Sequence, residues 1–254
     1  MNAFARTLHA ESLKLKGTLA LWMCLIAPGV VLALYVLQIS FRSFPPSWVT
    51  PGPADAWMMF CQSVIGIWTF LMLPLFITLE SALLAGLEHG ERQWKHLLAL
   101  PLPRGAHYLA KLIALAALVA LGFLALVLLI PLGGLLMPWL QPAFGIAGAP
   151  PWQYLLLTAG QAYLASLLMV AISCWIAVRW SSFTVAVSVG MSATVAGFII
   201  GQSERFGHWY PWSMPLQVLA GKGQWLEFVL VAGTCGGLLV ALLGLLDFGR
   251  REFE

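Results

Sequence analysis

Six stretches of this chain are apolar enough and long enough to cross a lipid bilayer, and that fixes the solvent in which it folds. They run over about Thr18–Ser40, Trp57–Leu87, Tyr108–Met137, Trp152–Val178, Phe183–Gly201 and Leu226–Phe248. A bilayer core needs about 20 mostly apolar residues as a helix. Inside hydrocarbon the backbone must satisfy its own hydrogen bonds, so runs of this length are expected to be helices. The expected fold class is an all-α membrane protein with six transmembrane helices.

Only 9% of the 254 residues are charged and 61% are hydrophobic, against about 25% charged in soluble chains. The connecting stretches, Arg42–Ala56, Glu88–Arg104 and Gln202–Trp225, are too short for a separate globular domain, so residues 1–254 are expected to form one membrane domain. In a six-span arrangement Arg6, Lys14, Lys16, Arg92, Lys95, Arg104, Lys111, Arg179, Arg250 and Arg251 share one side. Only Arg42, Arg205 and Lys222 fall on the other. Basic loops stay in the cytoplasm, which puts both termini there. Trp48, Trp57, Trp139, Trp152, Trp209, Trp212 and Trp225 cluster at the opposite ends of the spans, the pattern of an interfacial aromatic belt. The first run starts late, exceeds a signal-peptide core in length and is not closed by a clear A-x-A site, so it is expected to be a retained span.

Residues 2–16 fit a short amphipathic helix on the inner leaflet, with Phe4, Leu8 and Leu15 within about 40° of one another and Arg6, His9 and Lys16 opposite. Glu11 and Leu13 break that pattern. The second span, as one helix, would be about 46 Å long and would project from a hydrocarbon core of about 30 Å. That brings Glu80 near the inner interface, on the same side of the helix as Glu88 and Glu91 unless Gly86 and Gly90 interrupt it. Pro28, Pro74 and Pro131 are expected to kink their spans or mark their ends. Ala186, Gly190, Ala193, Gly197 and Gly201 form a small-residue face on the fifth span, and Gly233, Gly237 and Gly244 another on the sixth. Such faces admit a close helix neighbour, in the same chain or in a second subunit. Cys24, Cys61, Cys174 and Cys235 stand singly, so no disulfide framework or zinc site is expected.

The loop after the second span carries the densest information. Trp94, Leu97 and Leu98 recur at helical spacing, Arg92 and Lys95 lie on another face, and Pro101 and Pro103 end the element. A short helix with an aromatic anchor and mixed charge suits docking onto a soluble partner; a helix lying on lipid headgroups is the alternative. Glu88 and Glu91 with His89 and His96 form a weak metal pattern, disfavoured by Gly90 and by the charged docking face.

Glu80 and Glu88, then Trp94-Lys95-His96-Leu97-Leu98-Ala99-Leu100-Pro101-Leu102-Pro103-Arg104, then Tyr108-Leu109-Ala110-Lys111, resemble the membrane subunits of type-2 ABC exporters. The resemblance is nearest to the lantibiotic-immunity and bacitracin-type permeases, and Tyr210-Pro211-Trp212-Ser213-Met214-Pro215 also resembles that group. Pro101-Leu102-Pro103 departs from it, a single proline being more usual. The resemblance implies that residues 2–16 are an elbow helix. It implies that the loop helix, carrying Glu88, Glu91, Arg92, Trp94, Lys95, His96, Leu97 and Leu98, is the coupling helix on an ATP-binding subunit. It further implies a partly re-entrant 202–225 segment and a pathway formed by two permease subunits, the same or homologous, with the first and fifth spans near their axis. Two ATP-binding subunits would hold ATP and Mg. The setting would be the bacterial inner membrane, and the cargo an antimicrobial peptide or a lipophilic compound.

The chain itself contains no G-x-x-x-x-G-K-S/T phosphate loop, no H-E-x-x-H and no G-x-S-x-G. No cofactor, catalytic residue or nucleic-acid partner is expected on it, and a membrane-embedded enzyme lacks a recognisable constellation. Five of the six runs are free of Asp, Glu, Lys, Arg and His over their central lengths, whereas ion-driven carriers keep such groups deep in the membrane. Glu80 is the residue on which the alternative, a stand-alone secondary transporter or channel, would depend.

Overall fold

The computed structural model describes residues 3–45, 47–90, 104–180, 182–219 and 223–250. Their elements are α1 (Ala3–Leu15), α2 (Leu19–Ser40), α3 (Pro53–Ile67), a π-helical turn (Trp68–Met72), α4 (Leu73–Gly90) and α5 (Arg104–Leu140). There follow a 3-10 turn (Pro142–Phe144), α6 (Trp152–Arg179), α7 (Phe183–Ile200), the short α8 (Met214–Gln217) and α9 (Leu226–Arg250). Among the described residues there is no strand, and six helical stretches are long and apolar enough to cross a membrane: Leu19–Ser40, Pro53–Gly86, Gly105–Leu140, Trp152–Arg179, Phe183–Ile200 and Leu226–Arg250.

Local chemistry sets the breaks. Gly17 takes φ +75°, a left-handed conformation that ends α1, and the Thr18 hydroxyl donates to the Leu15 carbonyl at 2.8 Å. Pro53 opens α3 at a first-turn position where its missing N–H is harmless. Pro28 and Pro131 end no span; α2 and α5 run through them. Pro74 stands one residue beyond the π turn, which the Leu73 N–H closes by reaching back to the Trp68 carbonyl. The extra residue in that turn makes room for a proline ring that would collide with the carbonyl four residues earlier. The helix then continues through Gly86, which does not interrupt it, as far as Gly90.

Contacts at the two ends of the bundle fix the alternation of the spans. At one end Trp48 Nε1 donates to the Ala143 carbonyl at 3.0 Å and Trp57 Nε1 to that of Ala147 at 3.1 Å. At the other, Lys111 reaches the Leu84 carbonyl and Tyr108 stacks on Phe248, so α1 and the end of α9 share a face. Trp139, Trp152 and Trp209 are exposed at the end of the bundle opposite α1, as belt residues should be. Trp57 and Trp212 are not: they are buried, the first with its N–H satisfied, the second filling space beside Gly197.

The main core lies between α2, α3, α4 and α5, with Phe60, Trp68, Phe76, Leu115, Leu118, Leu126 and Ile130 fully buried. Trp68 meets Phe123 edge-on at 5.9 Å between ring centres. The Cys24 thiol donates across α2 and α5 to the Leu118 carbonyl at 3.4 Å. The most extensive helix pair is α6 with α9. There a Cβ on Gly233 would lie 2.6 Å from the Ala165 Cα, and one on Gly237 3.0 Å from the Leu167 carbonyl carbon. Small residues let backbones approach in lipid, where apolar side chains gain nothing by leaving the acyl chains. The outward faces carry Leu25 and Leu34 on α2, Leu128 and Leu132 on α5, and Leu238 and Leu242 on α9, all more than half or close to half exposed. That inside-out surface is what a hydrocarbon solvent requires.

The segment after α7 folds back into the bundle. α8 packs on α6, α9 and the π turn, and Met214 joins Ala165 and Val229 in a small core. Trp212 reaches a narrow cavity that Thr78, Ser173, Ala186 and Gly190 also line.

Candidate functional site

At the end of the bundle that carries α1, five elements converge on the base of the loop between α4 and α5. Lys111 lies two turns into α5 and is 2% exposed. Its Nζ donates to the Leu84 carbonyl of α4 at 2.9 Å and lies 3.6 Å from Oε2 of Glu11 on α1. Glu11 is 3% exposed, and its Oε1 accepts from Lys14 at 2.8 Å. Thr7 and His107, one turn before Glu11 and Lys111 and on the same helix faces, are also buried. One ammonium thus ties the N-terminal helix to the end of the second span and the start of the third. Charges taken out of water persist when they are paired and hydrogen-bonded, and here both conditions hold.

Beside this knot Tyr108 is fully buried against Phe248, 6.1 Å between ring centres. Gly244 admits the ring, since a Cβ there would overlap the phenol. Nearer the surface Asp247 lies 3.4 Å from Arg179 and accepts from Trp175 Nε1 at 3.1 Å, joining α6 to α9. The exposure of both charges makes that pair a weak tie.

The helix expected over residues 2–16 is present as α1. Of its apolar stripe Leu15 packs against the main core and Phe4 is exposed, while Thr7 and Glu11 are buried. The residue that broke the stripe, Glu11, is the one held inside, because Lys111 waits there. Arg6 and His9 face outward as expected.

Glu80 is 0% exposed, on α4 one turn further into the bundle than Leu84. Neither of its carboxylate oxygens has a hydrogen-bond partner among the described residues. The backbone of Glu88 belongs to α4. Glu91, Arg92, Trp94, Lys95, His96, Leu97 and Leu98, the expected docking helix, lie outside the described residues.

Of the two neighbours open to the small-residue face of the fifth span, the chain itself supplies one. A Cβ on Gly190 would overlap the Thr78 side chain of α4. Ala186 packs with Ala82, Ala85 and Ala177. The Ala193 carbonyl accepts from Tyr210 at 2.8 Å, and burial raises that phenol, so it stays a donor. A Cβ on Gly197 would stand 3.2 Å from the Trp212 Cβ, and one on Gly201 3.1 Å from that of Ser213. Small residues on α7 therefore make room for α4 and for the returning segment. Gly233, Gly237 and Gly244 do the same for α6 and Tyr108.

A sequence model described as ABC-2 family transporter protein matches residues 7–197, from α1 through most of α7. No curated protein and no solved structure matches the chain. The match covers well over half of the 254 residues, and the chain belongs to the ABC-2 family of transporter proteins: a multi-pass membrane permease of the ABC type.

Proposed function

Taking that family membership as premise, we propose that the chain is the membrane-spanning permease subunit of an ATP-driven exporter in a bacterial inner membrane, with both termini in the cytoplasm. It works with a second permease, the same or homologous, and two ATP-binding subunits that carry ATP and Mg. α1 is the elbow helix. Residues 91–100 form the coupling helix, gripped by the ATP-binding partner through Trp94, Arg92 and Lys95. The cargo is an antimicrobial peptide of lantibiotic type or another lipophilic compound, and the physiological role is self-protection.

One observation supports this reading most directly: Lys111 binds the end of α4 and the side of α1 at once. The loop that would receive the partner's motion thus emerges from a base in which the elbow, the second span and the third span are joined. A push on the loop then moves three elements together instead of bending one. ATP-dependent closure of the partners shifts the two-state equilibrium of the spans by its differential affinity for them. The test is transport by proteoliposomes containing the chain and an ATP-binding subunit that copurifies with it. Export that requires ATP and fails with Arg92→Glu/Lys95→Glu carries the reading; full activity without any nucleotide hydrolase overturns it.

Glu80, enclosed without a hydrogen-bond partner among the described residues, favours a second reading, ion-coupled transport by the chain alone. Gradient-driven flux in liposomes holding only this protein would support it.

A further inference from the structure

At the end of the bundle opposite α1, two surface hollows meet at Ser203. One is an apolar groove of about 540 Å³ lined by Ile199, Ile200, Ser203, Phe206, Trp209 and Tyr210. The other is a polar basin of about 550 Å³, to which Gln202, Ser203, Glu204, Arg205 and Gln224 contribute. Each is of the size of ordinary ligand sites. The Arg205 guanidinium lies over the Phe206 ring, 5.3 Å from its centre. A cation is therefore held at the mouth of the apolar groove, with the carboxylate of Glu204 next to it in the chain.

The walls are built in. Trp209 packs edge-on against Phe228 of α9, 4.6 Å between ring centres. Its neighbour His208 is buried and stacks flat on Trp225 at 3.8 Å. Tyr210 is anchored to the Ala193 carbonyl. The Phe206 N–H donates to Ser203 Oγ at 3.3 Å, which fixes the turn between the two hollows.

We propose that this paired hollow binds one zwitterionic phospholipid from the adjoining leaflet. Its acyl chain fills the groove, its phosphate meets Arg205 and its ammonium meets Glu204. Charge complementarity selects the headgroup: among the described residues the basin presents one cation and one anion side by side, Arg205 and Glu204, which match a zwitterion better than a purely anionic lipid. The apolar groove is lined by Trp209, an exposed tryptophan of the expected belt, and such residues favour the layer where the acyl chains and headgroups of a bilayer meet. Arginine suits the phosphate by its planar, forked donors.

The test is native mass spectrometry of the intact purified protein after exchange with dioleoyl phosphatidylethanolamine, dioleoyl phosphatidylglycerol or dodecanol. One tightly retained phosphatidylethanolamine per chain is expected, with retention reduced at least tenfold by Arg205→Glu and by Ser203→Trp, which fills the junction. Glu204→Gln should remove the preference over phosphatidylglycerol. Unchanged thermal midpoints of the variants confirm that folding is not the cause. Equal retention by wild type and Ser203→Trp overturns the proposal, as does equal retention of all three probes. Loss of a dimer without loss of lipid in Ser203→Trp also overturns it, making the groove a contact between copies. None of these readouts depends on ATP or on cargo, so the site stands or falls apart from the exporter reading.

Discussion

The Lys111 ammonium lies 3.6 Å from the Glu11 carboxylate across the junction of α1 and α5, with each side chain about 96% or more out of solvent. Lys14 and the Leu84 carbonyl join them. Removing one partner of a buried pair leaves the other charge uncompensated, which costs about 3–5 kcal/mol. Lys111→Met is therefore expected to lower the thermal midpoint of the purified protein markedly. Glu11→Gln/Lys111→Met should recover much of that loss, because neither charge is then buried. Equal midpoints for Lys111→Met and wild type would show that the pair holds nothing.

The docking role assigned to residues 91–100 makes a binding prediction. Trp94→Ala removes the aromatic anchor, and interface anchors of this kind are worth about 2 kcal/mol or more. Recovery of the ATP-binding subunit by affinity-tagged permease should fall by an order of magnitude or more, with permease expression unchanged. Recovery at the wild-type level would remove this element from the interface.

On α7 the decisive residue is Gly190, whose missing side chain makes room for Thr78. Gly190→Val should destabilise the single chain by about 1–3 kcal/mol through overpacking, and Thr78→Ala should restore part of it. Were the small-residue face a contact between subunits, the variant would change the proportion of dimer and leave the midpoint untouched. Thermal unfolding and size-exclusion chromatography separate the two outcomes.

Glu80→Gln keeps the shape of the side chain and removes its ability to ionise. With the ATP-binding partner present, ATP-driven export is expected to continue at near the wild-type rate. Abolished gradient-driven flux from the variant, with measurable flux from wild type alone, would transfer the function to the ion-coupled reading.

Several features were legible before any coordinates. The spans are set by length and polarity, and those for α2, α6 and α9 begin or end within a few residues of expectation. The packing of α8 onto α6, α9 and the π turn is not written in the composition of that segment. Glu11 shows how the N-terminal helix misleads: on a wheel it is an error in an amphipathic stripe, and in the fold it is the helix's principal tie. The usable signal was the error itself, together with Lys111 as an isolated charge near the start of an apolar run.

The sequence by itself determined the solvent and the number of apolar spans, because those depend on how many apolar residues follow one another and where the charges interrupt them. Only the tertiary structure decided which face of each helix looks inward. A soluble helix marks its buried face with apolar residues, but a helix such as α7 or α9 is apolar all round, and acyl chains are as apolar as a protein core. Orientation then rests on shape and on rare polar ties: whether Thr78 finds Gly190, Tyr108 finds Gly244, or Lys111 finds Glu11. Those matches exist only between segments distant in the chain, so no local pattern announces them.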